Sequence, residues 1–305
     1  MNILFLGGGK RVSMARLFKR AGASRIVSYE GTTHSPISIE GKVIAGRRWK
    51  ATDIIDDLTR VCREENIDVI VPFVDGAVAV AARLATETGI FAPVCTARQA
   101  ESMFDKVEAA RIFAEAGIPI PHTYSTDSNI GRWIAKPRHG SASKGIEIID
   151  TRDHLDRVLA HAGDFLIQER IDHRDEYTVD CYVSVASGEP LAIVPRKRIE
   201  VSGGEVVRTE TVIFPEIVDL TRRVLAATGL RGAVTVQFIH DLDTNRCLLM
   251  EINPRLGGGA VCSVLAQADI PALILAEAKG ETPQFITYRP YTEIARYPQE
   301  VAFFN

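Results

Sequence analysis

Leu248-Leu249-Met250-Glu251-Ile252-Asn253-Pro254-Arg255, preceded by Gly232-Ala233-Val234-Thr235-Val236-Gln237-Phe238, is the pair of segments on which the reading of this chain turns. Each is short and rich in Val, Ile, Leu and Phe, and Asp241-Leu242-Asp243-Thr244-Asn245 between them reads as a turn, so the two form neighbouring strands. Side chains two apart on a strand share a face. Glu251 and Asn253 therefore point the same way, Gln237 on the neighbouring strand joins them, and Arg255 stands beside. Three oxygen ligands with one negative charge suit Mg²⁺ that is also held by nucleotide phosphates. Taken alone, Glu-x-Asn is more often a polar-faced hairpin without such a role; the rest of the chain shifts that balance.

The 305 residues suggest two or three domains. A net charge of −3 gives no reason to expect nucleic acid or a membrane surface as a partner. No apolar run approaches the roughly 20 residues of a membrane span, and Met1 to Leu6 is too short for a signal sequence. Cys62, Cys95, Cys181, Cys247 and Cys262 are scattered with no Cys-x-x-Cys pair, which reads as reduced thiols in a cytoplasmic protein.

Strand and helix alternate in the first third. Asn2 to Leu6, Arg25 to Tyr29 and Asp68 to Phe73 read as buried strands; Val12 to Ala21, Asp53 to Glu65 and Ala77 to Glu87 read as helices. This βαβα order predicts a parallel sheet covered on both faces, with ligands beyond the strand C-termini. Gly7-Gly8-Gly9, Tyr29-Glu30-Gly31 and Val74-Asp75-Gly76 then share one rim. The dinucleotide pattern Gly-x-Gly-x-x-Gly fails from Gly7, because position 12 is Val. A tight turn is the simpler account of the glycines; an anion at that helix N-terminus, helped by Lys10 and Arg11, is the sharper one.

Beyond residue 100 the pattern becomes α+β. A helix over Phe104 to Ala116 stops at Gly117-Ile118-Pro119-Ile120-Pro121. Strands follow at Trp133 to Lys136, Ile146 to Ile149 and Phe165 to Glu169, with a helix at Asp153 to His161. Tyr177 to Val185, Leu191 to Pro195 and Glu205 to Ile213 read as antiparallel strands, Pro215 to Thr228 as an amphipathic helix, and Ala260 to Lys279 as mainly helical. His139-Gly140-Ser141-Ala142-Ser143-Lys144-Gly145-Ile146 joins two strands and can lay amides and hydroxyls over phosphates. It is not a Walker A loop, and a plain flexible hairpin is the alternative. Lys136 ends the strand before it, where an ammonium meets a phosphate oxygen. Leu166-Ile167-Gln168-Glu169-Arg170-Ile171 can offer backbone groups to an adenine edge while Glu169 takes the exocyclic amine, and Glu176 can take ribose hydroxyls. Arg196 and Arg198 share a face of Pro195-Arg196-Lys197-Arg198-Ile199-Glu200 and suit carboxylates or acyl phosphates; a solvated basic strand is equally in keeping with that spacing.

With these parts in this order the chain resembles the ATP-grasp superfamily, and more narrowly its carbamoyl-phosphate-synthase-type members, including stand-alone large-subunit-like proteins. The resemblance runs from about Asn2 to Gly280. It is carried by Asp105-Lys106 with Arg111, Gly117-Ile118-Pro119-Ile120-Pro121, Ala135-Lys136-Pro137, residues 140–146, Gln168-Glu169, Glu176-Tyr177, Gln237-Phe238 and Glu251-Ile252-Asn253-Pro254-Arg255. It implies an α/β pre-ATP-grasp domain with a parallel sheet over residues 1–100. An α+β ATP-grasp fold of two subdomains follows, 101–168 with the phosphate loop and 169–290 with the metal site, and then a tail over 291–305. By the match, Lys106 and Lys136 contact phosphates or the adenine side, and Gly140, Ser141, Ser143 and Gly145 belong to a mobile loop over the phosphates. Glu169, Ile171 and Glu176 hold adenine and ribose. Gln237, Glu251 and Asn253 hold Mg²⁺ (or Mn²⁺), and Arg255, with Lys136, stabilises the transferred γ-phosphoryl; Arg196 and Arg198 stay candidate catalytic contacts to the substrate carboxylate or its acyl phosphate, on their residue chemistry alone.

The implied reaction uses ATP and Mg²⁺ to turn a small-molecule carboxylate into an acyl phosphate, which an amine or another nucleophile then attacks. A catalytically silent ATP-binding module and a subunit of a larger ligase are the alternatives, and a homo-oligomer stays open. The chain has one grasp unit and no glutamine amidotransferase region, against carbamoyl phosphate synthesis as its sole activity. Glu210 departs from the basic or neutral residue expected there. Tyr291, Tyr297, Phe303 and Phe304 make the tail a docked segment, an interface or a frayed end.

Overall fold

The computed structural model describes residues 1–125, 131–140 and 144–303. The first domain is built from β1 (Asn2–Leu6), α1 (Val12–Arg20), β2 (Arg25–Glu30), β3 (Lys42–Ala45), α2 (Ile54–Glu64), β4 (Val69–Pro72) and α3 (Asp75–Thr88). Its sheet is parallel throughout in the order β3-β2-β1-β4. The strands β1 and β4 are almost wholly buried, as continuous apolar runs require when helices cover both faces. Met14, Leu17 and Phe18 are the buried stripe of α1, and Ile54, Leu58 and Val61 that of α2. β3 had no expectation; it is a four-residue edge strand, half-exposed along its length.

A single helix was expected over Phe104 to Ala116. The chain instead makes α4 (Ala97–Phe104) and α5 (Lys106–Glu115). Asp105 leaves the helical conformation between them, and its carboxylate accepts from the amides of Val107 and Glu108 at 3.1 and 3.2 Å. The break places Lys106 in the first turn of a new helix.

The remainder carries two antiparallel sheets. The smaller, ordered β6-β5-β7, contains β5 (Trp133–Pro137), β6 (Glu147–Ile149) and β7 (Phe165–Glu169), with α6 (Arg152–Leu159) against it. The larger, ordered β12-β11-β8-β9-β10-β13, contains β8 (Arg174–Val183), β9 (Pro190–Ser202), β10 (Glu205–Thr211), β11 (Gly232–Asp241), β12 (Arg246–Asn253) and β13 (Glu293–Ala295). Between these strands run α7 (Pro215–Thr228), which ends at left-handed Gly229, and then α8 (Ala260–Leu265) and α9 (Ile270–Ala278). Within the tail, Glu293–Ala295 pairs as an edge strand on β10, while Tyr291 and Tyr297 stay exposed. β9 extends well past the expected Pro195, so Arg196 and Arg198 sit inside a regular strand. Register lines up one row across the sheet: Glu251 faces Gln237, Gln237 faces Thr178, Thr178 faces Arg196. Among the described residues no helix is long and apolar enough to cross a membrane.

The two parts meet at Gly232. Its φ is +78°, and a Cβ there would lie 2.1 Å from the carbonyl of Pro93, whose oxygen accepts from the Ala233 amide at 2.9 Å. Backbone cannot yield as a side-chain tip can. Gly232→Ala is expected to lose about 2 kcal/mol or more, read as a lower urea midpoint; an unchanged midpoint would contradict this close approach.

Candidate active site

Two cavities lie against the face of the larger sheet that carries Glu251. One, of about 190 Å³, opens between the two antiparallel sheets. Its apolar walls include Ile134 and Ile146 on the small-sheet side and Ile171, Ile239 and Met250 on the large-sheet side. Glu169 and Glu176 line it, as expected, but neither carboxylate is free. Glu169 accepts the Arg246 fork at 3.2 Å on both oxygens and the His122 amide at 2.9 Å. Glu176 pairs with Arg174 at 3.1 Å, and the Ile171 carbonyl accepts from Arg174 Nη1 at 2.5 Å. These intramolecular partners are ones the sequence pattern does not suggest.

The second cavity, of about 410 Å³, lies between the larger sheet and the first domain. Lys106, Gly140, Arg198, Gln237 and Glu251 line both cavities. Lys106 Nζ donates to the Gly140 carbonyl at 2.7 Å. Lys136 is almost fully buried, and its Nζ donates to the neutral Gln168 Oε1 at 3.0 Å. Burial pulls its ammonium down to about 8; nearby Glu251 opposes that pull and Lys106 adds to it. A buried cation facing a neutral partner is a site prepared for an anion. Gln168 aims its oxygen at Lys136 because its Nε2 donates to the Pro121 carbonyl at 3.2 Å. The sequence placed Gln168 in a motif but gave it no role. Gly140 and Gly145 have φ of +146° and +71°, a region that glycine adopts freely; Ser141 and Ser143 lie outside the described residues.

Gln237, Glu251 and Asn253 all line the larger cavity, and Asn253 Nδ2 donates to Glu251 Oε1 at 3.0 Å. Among the described residues no three His, Cys, Asp or Glu side chains gather in a metal-binding group. One carboxylate and two amide oxygens make an incomplete cage. That set fits Mg²⁺ brought by phosphates, which keeps few protein ligands, better than a resident ion.

The arginines differ from expectation. Arg255 Nε donates to Asp75 Oδ1 at 2.6 Å, across to the first turn of α3. Asp75 was placed on the rim by the parallel-sheet rule, but its partner was not foreseen. Arg196 is not an open substrate clamp: its side chain is 2% exposed, with Nε and Nη2 on Asp180 at 2.7 and 3.2 Å. Arg198 keeps unused capacity. Its Nη2 donates to the Gly204 carbonyl at 3.3 Å, while Nε, 3.4 Å from Glu176, makes no aligned hydrogen bond. Burial lowers its pKa.

Residues 161–299 match the model of a family described as ATP-grasp in the biosynthetic pathway with Ter operon. A search of curated proteins finds no match. Among solved structures, the chain is similar to Staphylococcus aureus N5-carboxyaminoimidazole synthetase complexed with ADP, at 16% identity and a TM-score of 0.76, over 94% of this chain and 79% of that one. It is similar to the biotin carboxylase domain of Hydrogenobacter thermophilus 2-oxoglutarate carboxylase, in complex with MgADP, ADP and bicarbonate, at 18% identity and a TM-score of 0.71, over 93% and 71%. Campylobacter jejuni biotin carboxylase, in a β-γ-ATP complex, matches at 14% identity and a TM-score of 0.73, over 96% and 74%.

The lowered pKa of Lys136 fixes a sign. Below about 8 both folded and unfolded chains hold its proton, and the full penalty of the buried charge is present. From there to the ordinary lysine range the unfolded chain binds more protons, so this group's contribution to stability improves as pH rises. Lys136→Met is expected to stabilise the ligand-free protein at pH 7 by about 1 kcal/mol or more, with a smaller gain at pH 9.5, read from urea midpoints. A gain independent of pH would overturn the assignment.

Proposed function

We propose that this chain, a member of the ATP-grasp superfamily, is an ATP- and Mg²⁺-dependent ligase that activates a carboxylate as an acyl phosphate for attack by an amine or another nucleophile, with C–N bond formation favoured. The observation that carries the proposal is the shared lining of the two cavities. A slot for a planar base and a larger chamber meet at Lys106, Arg198, Gln237 and Glu251, where phosphates and a second substrate would come together. The S. aureus synthetase and the H. thermophilus domain, which share the fold, hold ADP and MgADP respectively. The narrower carbamoyl-phosphate-synthase-type likeness rests on the sequence motifs alone.

In this reading the base lies between Ile171 and Met250 on one side and Ile134 and Ile146 on the other, and Lys106 and Lys136 neutralise the phosphates. Gln237, Glu251 and Asn253 would hold Mg²⁺ or Mn²⁺, whose charge offsets that of the phosphates. A carboxylate oxygen in the larger cavity attacks the γ-phosphorus; the bond to the bridging oxygen breaks and ADP leaves. Arg198 and an Arg255 released from Asp75 stabilise charge on the transferred group. The nucleophile then attacks the acyl carbon, phosphate departs with the C–O electron pair, and an amine gives up its proton. Residues 101–168 and 169–290 are the two subdomains of this reading.

The test is Mg²⁺-dependent ADP formation from ATP with pooled carboxylic acids crossed against pooled amines, including ammonia and amino acids. ADP release is expected to need one acid and one nucleophile and to fall about 100-fold or more in Glu251→Ala. ATP binding without turnover from any pair would favour a silent module or a subunit awaiting its partner. Absence of ATP binding would remove the reading altogether.

A further inference from the structure

Arg11 follows the glycine run at the end of β1, the segment whose sequence suggested an anion. The run's own amides are already engaged: Gly8 and Gly9 donate to the carboxylate of Glu30, which also accepts from Ser28 Oγ at 2.6 Å. Arg11 lines the larger cavity and also a small one of about 60 Å³ that it shares with Gly258 and Arg296, and it is absent from the lining of the nucleotide-side cavity. It is 14% exposed, yet its one ion pair among the described residues is a long 3.5 Å contact to Glu205, a residue 47% exposed and bound more closely by Arg296 at 3.0 Å. Nη1 is buried with no hydrogen-bond partner among the described residues. Burial lowers the pKa of Arg11; Glu205 opposes that pull, and the guanidinium groups of Arg255 and Arg296 add to it. A buried guanidinium with an empty donor and cationic neighbours is costly unless an anion completes it.

The surroundings agree. Two other arginines of the cavity have close carboxylate partners, Arg255 in Asp75 and Arg196 in Asp180. A Cβ on Gly258 would lie 2.8 Å from Arg11 Nη1, so the glycine run after Arg255 leaves room for this guanidinium. The exposed Glu205 covers it at long range and is free to exchange.

We propose that Arg11 forms an oxyanion subsite in the larger cavity, away from the nucleotide slot, and that the substrate acid therefore carries a second anionic group, a carboxylate or a phosphate. The use of this subsite in acid activation rests on the ligase reading; the binding of an anion by Arg11 does not. Arg11 is a specificity-determining residue in this assignment. The second group displaces Glu205, which stays with Arg296.

The test is calorimetric titration of the full chain with inorganic phosphate and, in a separate arm, with succinate, both under saturating MgADP. At least one anion is expected to bind the native chain. Arg11→Gln should weaken that binding about tenfold or more, with MgADP affinity held within about twofold, and Gly258→Ala should weaken it as well by crowding Nη1. Preference for phosphate or for succinate assigns the second group. Failure of both anions to bind, or undiminished binding in Arg11→Gln, overturns the proposal. Anion binding that depends on Arg11 in a chain that does not bind MgADP would uphold this subsite while removing the nucleotide reading.

Discussion

The ion pair between Asp180 and Arg196 is the constraint from which the site is built. It is buried in the middle of the larger sheet, joins β8 to β9, and takes a third contact from Ser263 Oγ of α8 at 2.6 Å. A Cβ on Gly259 would lie 2.6 Å from Arg196 Nη1, so the loop after Arg255 rests directly on the guanidinium. One interaction thus fixes the sheet floor, the start of α8 and the turn that carries Arg255. Removing one partner of such a pair leaves an uncompensated buried charge, at a cost of about 3–5 kcal/mol. Its value here is positional: Glu251, Gln237 and Thr178 stand in register with Arg196 and inherit its fixed geometry.

Around that floor stand buried cations whose partners are neutral, long or unaligned. Lys136 faces a neutral amide, Arg198 has an unaligned Nε, and Arg11 has a bare Nη1. Each lowers the stability of the ligand-free chain. All three line the two connected cavities, so the deficit is local and complementary to polyanionic ligands. In the proposed reading, folding energy is given up there and a bound nucleotide and acid would recover it.

Local patterns made much of this readable in the sequence. Period-two spacing put Glu251 and Asn253 on one face, and apolar runs at Ile3 to Leu6 and Val69 to Val71 implied a parallel sheet. Features that depend on distant partners were hidden. Nothing adjacent to Arg255 or Arg196 reveals Asp75 or Asp180, which are engaged 180 and 16 residues away in the chain. β3 escaped because a short, half-exposed edge strand has little periodicity. α4 had a usable signal that was missed: Thr96 and Gln99 have the spacing of a capping box, and both of its hydrogen bonds form.

The contact between Arg255 and Asp75 has a thermodynamic consequence. It is a single salt link between the parallel-sheet domain and the strand end that carries Glu251 and Asn253. An anion that draws the guanidinium into the cleft leaves the Asp75 carboxylate without its counter-ion. A cation that takes Asp75 releases the guanidinium. Each event makes the other more favourable, and by reciprocity the coupling is the same whichever comes first. Any ligands that engage these two side chains would be linked in affinity through one exchangeable guanidinium, without any domain having to move.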